Sequence, residues 1–384
     1  MRKHYFSCFQ GIIKQSKLYA VTCACKAIWR VDFERRKAEV IRWLDESNSL
    51  SHTEYATICE MGDNIVLVPA KSDSVAFYDL KKDTLSYARV VQPKIITHEI
   101  YDQGKKFWGG FSSHDRVYLL GASYPAILKI NADGGKVSYL DTWVKQLQDK
   151  IPENDTSFYF AHSYLIDGEN VYIPGRASGT MLGLNLLTDQ VTVYAIHSGV
   201  KMLHGIVRSG EKIWVLASMD DRESLFSWSP ENGFIDEIII EKNLSKEFFW
   251  WSPINSGEYI YLFQMNGNAV YKVDVQTKMI EPCEEITNAI GDIPNPVSRY
   301  SVCLIGEEEG KIFFLTLWNR KWFIYHTKDR SIESFWIEIT DEEYDYRYRN
   351  ELKEKSYIRE SELSLKDFLE IVGEGEVFSI ARMI

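Results

Sequence analysis

A hydrophobic pattern repeats seven times along this 384-residue chain, and no other feature restricts its fold as strongly. Each copy opens on a polar or basic residue followed by aliphatic and aromatic side chains. The copies are Lys17-Leu18-Tyr19-Ala20-Val21, Asn64-Ile65-Val66-Leu67-Val68, Arg116-Val117-Tyr118-Leu119-Leu120, Asn170-Val171-Tyr172-Ile173, Lys212-Ile213-Trp214-Val215-Leu216, Tyr259-Ile260-Tyr261-Leu262-Phe263 and Lys311-Ile312-Phe313-Phe314-Leu315. Their first apolar positions fall at 18, 65, 117, 171, 213, 260 and 312, with 42 to 54 residues between neighbours. A period of this size containing several short strands belongs to sheets repeated around an axis.

Turn chemistry divides each unit into four strands, A to D. In the first unit these are Gln10 to Lys14, Leu18 to Cys23, Ala27 to Asp32 and Ala38 to Leu44. Tight A–B turns recur at Gln15-Ser16, Gly62-Asp63, His114-Asp115, Asp167-Gly168, Ser209-Gly210, Ser256-Gly257 and Glu308-Glu309-Gly310, the compositions that short hairpins require. C–D turns recur in phase, among them Glu34-Arg35-Arg36, Lys81-Lys82-Asp83, Asp133-Gly134-Gly135 and Glu231-Asn232-Gly233. Length alone favours two or three domains; the repeat overrides it and predicts an all-β chain, a seven-bladed β-propeller of four-stranded antiparallel blades over residues 1–339. The 14% aromatic content, with 11 Trp, 22 Tyr and 19 Phe, suits bulky rings filling the space between radial sheets.

The D-to-A connections are longer, and the one from Asp141 to Thr156 holds a helical stretch, Thr142 to Leu147. D–A and B–C connections share one face of such a ring, the top, where elaborated loops favour binding. Beyond residue 339 the pattern changes to a charged, Tyr-rich tail, 340–384, with a short helix expected over Ser364 to Val372, capped by the Ser364 hydroxyl and stopped at Gly373. Neither terminus offers an obvious strand to the other's blade. Ring closure is therefore expected to rest on packing between the first and last blades, helped by the tail.

The repeat over residues 5 to 339 resembles the loose group of bacterial seven-bladed propellers related to WD40, kelch and YVTN repeats. No Trp-Asp dipeptide closes a blade, no Gly-Gly pair recurs, and no Ser-x-Asp-x-Gly-x-x-Thr-Trp box is present. The resemblance therefore implies the fold and no catalytic residue.

A formal charge of −11 argues against a nucleic-acid binder, which needs a basic surface to neutralise phosphates. The start, Met1-Arg2-Lys3-His4, leads into a run broken by Gln10, Lys14 and Gln15 rather than a leader-like apolar stretch, and no segment reaches the ~20 apolar residues of a membrane-spanning helix. No membrane partner is expected. The six cysteines lack a disulfide framework, which points to reduced thiols and a cytoplasmic protein. Cys23-Ala24-Cys25 has no second pair at metal-site spacing. Neither a metal nor another cofactor is expected.

Candidate chemistry lies at the top ends of the A strands. One row, Gly11, Thr57, Gly109, His162, Gly205, Ser252 and Ser301, is small where seven strands crowd the axis, with His162 the exception. Either His162 fills the channel and bonds a neighbouring carbonyl, or it touches ligand as an acid or base. The preceding row contains Gln10, Trp108, His204, Trp251 and Tyr300. Alternate side chains point opposite ways, so these rings serve either as packing between blades or as an aromatic floor for a sugar ring or peptide side chain. His52 and Glu54 offer a further pair by location only.

Five B–C loops add a cation: Lys26, Lys71, Arg176, Arg222 and Arg320. If they converge, they form a positive mouth for a carboxylate or phosphate. These residues point to non-catalytic recognition of an anionic small molecule, glycan or peptide, or of a protein partner, through the top face or the tail. The alternative is a carbohydrate-processing lyase, hydrolase or epimerase at the channel mouth, with His162 or His204 as acid or base.

Overall fold

The computed structural model describes residues 4–22, 25–44, 54–91, 106–131, 136–148, 160–161, 163–176, 179–196, 199–242, 250–293 and 301–344. Seven antiparallel sheets follow one another along the chain, each with its first four strands paired in the order A-B-C-D. Blade 1 consists of Gly11–Lys14, Lys17–Thr22, Cys25–Asp32 and Lys37–Trp43, within a residue or two of the expected boundaries. The A strands of the remaining blades are Tyr55–Met61, Phe107–Ser113, Leu165–Asp167, Val200–Ser209, Ile254–Ser256 and Val302–Glu308. The A strand of blade 7 contacts that of blade 1, so the seven sheets form a closed ring. The fold is a seven-bladed β-propeller.

Local chemistry sets the strand ends. Gln15, Ser16, Gly62, His114, Gly168, Gly210, Gly257, Glu309 and Gly310 adopt positive φ at the seven A–B hairpins, which matches the strand twist. At the C–D turns a second device recurs. The last C-strand residue accepts turn amide protons with its side chain: Asp32 from Arg35, Asp79 from Lys81 and Lys82, Asn185 from Leu187 and Thr188, Asp274 from Gln276 and Thr277. Four positions later Arg36, Asp83, Asp189 and Lys278 turn left-handed, closing an Asx-type turn.

The core lies between blades. On the B strand of blade 2, Ile65, Val66, Leu67 and Val68 are all buried, because both faces of the sheet are covered. Val66 and Val68 pack on Phe107, Val117 and Leu119 of blade 3, while Ile65 and Leu67 pack on Val21 and Ile28 of blade 1. Each such side chain contributes about 1.5–3 kcal/mol when fully buried. The helix expected near Thr142 forms as Val144–Gln148 and plugs the blade 3–4 seam with Trp143, Val144 and Leu147. A second helix, Glu284–Ile290, follows blade 6 and seats Ile286 and Ile290 in the core; the reading of the sequence did not anticipate it.

Ring closure differs from the expectation that neither terminus would supply a strand. Glu338–Ile339 crosses from blade 7 to pair in parallel with the D strand of blade 1, and His4–Tyr5 pairs antiparallel outside it. The Phe6 amide donates to the Ile337 carbonyl at 2.8 Å, and the buried Trp322 indole donates to the Phe6 carbonyl at 2.9 Å. Two-residue strands carry too little pattern to stand out in a sequence. What fixes them is burial of Phe6 and Ile337, both fully inaccessible. The expected helix over Ser364 to Val372 lies outside the described residues.

Candidate functional site

The A strands surround a cavity of 240 Å³ on the propeller axis, lined by Gln10 and Gly11 of blade 1, Thr57 and Ile58 of blade 2, Trp108 to Gly110 of blade 3, Trp251, Ser252 and Ile254 of blade 6, and Leu304 to Gly306 of blade 7. Both expected rows contribute, because these strands carry bulges at their top ends. The register shifts between Tyr55 and Thr57, between Phe107 and Gly109, and between Leu304 and Gly306. A bulge re-aims consecutive side chains toward the same side. In blade 7 it also displaces the expected lining residue: Ser301 precedes the strand and is buried, while Leu304, Ile305 and Gly306 face the cavity.

Crowding at the axis is evident at Gly205, where a Cβ would stand 2.7 Å from Pro253 Cδ and 2.8 Å from Ser252 Cα. Trp108 is half-buried on the cavity wall. Trp251 is 4% exposed, and its indole donates to the Val302 carbonyl at 2.7 Å, so it joins blade 6 to blade 7 while lining the cavity. The Ser252 hydroxyl is buried on the same wall with no hydrogen-bond partner among the described residues.

His204 takes a different position. It sits at a bulge of its A strand, between Leu203 and Gly205, and is buried. Its Nε2 lies 2.6 Å from Ser218 Oγ on strand B, and Ser218 Oγ lies 2.8 Å from both carboxylate oxygens of Glu223 on strand C. Burial, reinforced by the positive charge of Arg176, pulls the imidazole down to about 3. Burial pushes the Glu223 carboxyl up to about 7, against the pull of Ser218 and the Trp250 indole toward ionisation. At neutral pH the 3.7 Å approach of His204 to Glu223 is therefore a contact of a neutral ring, not an ion pair. Ser218 stands between the two partners. The serine of a nucleophilic triad instead sits at the end of the relay.

Ser218 and Glu223 were missed as a pair in the sequence. The available signal was a carboxylate on the C-strand face otherwise used by Leu225 and Ser227, all three buried.

The cationic loops have several fates. Arg222 is taken up by Glu237 at 2.6 Å and Asp221 at 2.7 Å. Arg176 is half-buried, and its carbonyl receives the Leu203 amide at 3.0 Å, which ties the blade 4 loop to the strand bearing His204. Lys71 is exposed, Arg320 is half-buried with φ of 54°, and the Lys26 side chain, like His162, Tyr300 and His52, lies outside what the structure describes. Glu54 is buried, and its carbonyl accepts the amides of Ala70, Lys71 and Ser72. Among the described residues no group of three His, Cys, Asp or Glu side chains is placed to hold a metal ion. Cys8, Cys59, Cys283 and Cys303 are buried free thiols. No described helix is long and apolar enough to cross a membrane.

No family model matches the chain, and no curated protein matches it in sequence. Solved structures do match. Virginiamycin B lyase from Staphylococcus aureus aligns over 80% of this chain and 91% of its own at 10% identity, with a TM-score of 0.55. A streptogramin B lyase aligns over 74% and 83% at 14% identity, with a TM-score of 0.51. The Cps50 (Swd1) β-propeller domain of Myceliophteria thermophila aligns over 88% and 98% at 11% identity, with a TM-score of 0.53. These likenesses show the propeller fold and single out no subfamily.

Proposed function

We propose that this chain is a recognition propeller whose axial cavity takes one small anionic ligand, a sugar acid or an acidic peptide side chain, from the top face. The Ser252 hydroxyl carries the reading: it is buried at the cavity without a hydrogen-bond partner among the described residues, a state that costs about 1–3 kcal/mol until a ligand or solvent group bonds it. Trp108 supplies an aromatic wall and Gln10 and Thr57 supply polar groups beside it, the mixture that suits a ring bearing hydroxyls. At 240 Å³ the cavity is smaller than the ~300–1,000 Å³ of ordinary ligand sites, so one ring or side chain is the natural unit. Among the described residues the cavity wall itself carries no cation; we assign the positive charge to Arg176, which belongs to a top-face loop outside that wall and whose field reaches His204.

Recognition is favoured over catalysis by the state of His204. The described acid/base candidate, His204, is buried against Ser218 rather than on the cavity wall and is held neutral by that burial. The lyases lend a fold to the comparison, not a reaction.

Calorimetric titration with glucuronate and with glucose tests the proposal. Glucuronate should bind, glucose more weakly, and added salt should weaken the acid selectively. Trp108→Ala should abolish the signal, and Arg176→Ala should lower affinity roughly tenfold, as loss of one charge-assisted contact does. No binding of any sugar acid or acidic peptide, or binding indifferent to Trp108→Ala, would reject the reading.

A further inference from the structure

A pocket of 370 Å³ opens on the outer rim of the ring, at the seam between blades 7 and 1, and it shares no lining residue with the axial cavity. Tyr5 enters from the strand that precedes blade 1, Arg35 and Arg36 from the C–D turn of blade 1, Phe335 and Trp336 from the end of the outer strand of blade 7, and Glu338 from the closing strand. The pocket thus joins the C–D turn of one blade to the B–C end of its neighbour, where the Trp336 indole donates to the Asn319 carbonyl at 3.1 Å. Its volume falls within the ~300–1,000 Å³ of small-ligand sites.

Two guanidinium groups and one carboxylate make up the charged lining, a local positive excess in a protein of net charge −11. Arg35 is 81% exposed, and its approach to Asp32 is a long 3.8 Å, a pairing weak enough for another anion to replace. Arg36 pairs with no carboxylate among the described residues; its guanidinium lies over the Phe335 ring at 5.1 Å. That contact fixes the guanidinium plane and leaves the N–H fork at its edge for an anion. Glu338, whose amide is bonded to the Arg36 carbonyl at 2.9 Å, offsets one of the two positive charges. The net charge of the lining is too small to hold a bare anion in water, and it suffices to orient one that is also held by stacking.

The rings supply the stacking. Tyr5 and Trp336 lie 5.8 Å apart at 32°, and Lys321 stands 5.6 Å from the centre of the Trp336 ring. Trp336 is 44% exposed although its indole N–H is already engaged, so what it offers a ligand is ring area. We propose that the seam pocket is a second binding site, taking a small planar aromatic molecule that carries a phosphate, with the ring against Trp336, the phosphate on the Arg35 and Arg36 forks and the Ser334 hydroxyl beside it. A phosphate matches this pair of guanidinium groups better than a carboxylate does, because it has oxygens for both forks at once.

Phenyl phosphate is the minimal probe, and saturation-transfer NMR on the full-length protein reads its binding. Phenol and inorganic phosphate, each carrying half of the recognised chemistry, should compete at least about tenfold less effectively than unlabelled phenyl phosphate competes with its ring-deuterated form. Arg35→Gln changes an exposed side chain and should weaken binding roughly tenfold, as should Trp336→Ala. Trp108→Ala, on the axial cavity, should leave the affinity unchanged within about twofold. No binding of phenyl phosphate would overturn the proposal, as would binding indifferent to both Arg35→Gln and Trp336→Ala. Inorganic phosphate competing as well as phenyl phosphate would overturn it because the ring would then contribute nothing, and loss of binding in Trp108→Ala would overturn it by assigning the probe to the axial cavity.

Discussion

Replacing Glu223 by Gln should change how stability depends on pH, and the size of the change follows from the burial of the His204–Ser218–Glu223 relay. The folded Glu223 carboxyl sits at about 7 against an ordinary 4.5. The folded state thus holds the proton more tightly than the unfolded state, so this group's stabilisation is complete below the ordinary value and is lost as pH rises toward 7. At about 1.4 kcal/mol per tenfold, the loss is about 3 kcal/mol. His204 works in the opposite sense. Its folded value of about 3 lies below the ordinary 6.5, so its contribution is complete above 6.5 and about 5 kcal/mol is lost as pH falls through 3.

Between pH 4.5 and 6.5 the two slopes cancel, and the wild type should show a plateau there. Glu223→Gln removes the descending arm, so the variant should gain about 3 kcal/mol relative to wild type between about pH 4.5 and pH 7.5. His204→Gln should tilt the plateau the other way. Guanidinium unfolding followed by tryptophan fluorescence across this range measures both. A difference between Glu223→Gln and wild type that stays constant within about 1 kcal/mol over the range would refute the buried, proton-retaining carboxyl.

Further perturbations test the ring and its axis. Ile337→Ala empties a fully buried position next to the closing strand and should cost about 2–5 kcal/mol in denaturant unfolding; a cost below about 1 kcal/mol would mean that the closing strand contributes little. Gly205→Ala places a methyl 2.7 Å from Pro253 Cδ and 2.8 Å from Ser252 Cα, so it should lower stability by about 1–3 kcal/mol, read from the melting temperature. Cys59 is buried, and its thiol is pushed up to about 12 by that burial. In the native protein it should resist iodoacetamide, and it should label at the rate of global unfolding.

Seven copies of a strand pattern with turns in phase were enough to determine the architecture, because each blade is a local antiparallel meander whose hairpins declare themselves in Gly, Asn and Asp. The Asp or Asn at the end of a C strand and the left-handed residue four positions later are equally local, and equally readable at Asp32, Asp79, Asn185 and Asp274. Trp108, Trp251, Gly205 and Ser252 were also placed near the axis from the chain alone, since distance from a turn sets height along an A strand. Which row faces the cavity depended on bulges at Thr57, Gly109 and Gly306, where the A strand slips by one residue against the B strand of its own blade, a shift that strand pattern and turn chemistry do not reveal. The same holds for His204. As one residue in a strand it looked like a channel histidine, and only the folded blade, by burying it together with Ser218 and Glu223, made it neutral and the carboxylate proton-retaining. Closure was likewise a tertiary decision: His4–Tyr5 and Glu338–Ile339 are too short to read as strands, and they become strands because the ring brings the segments flanking its first and last blades to one edge that would otherwise stay unpaired.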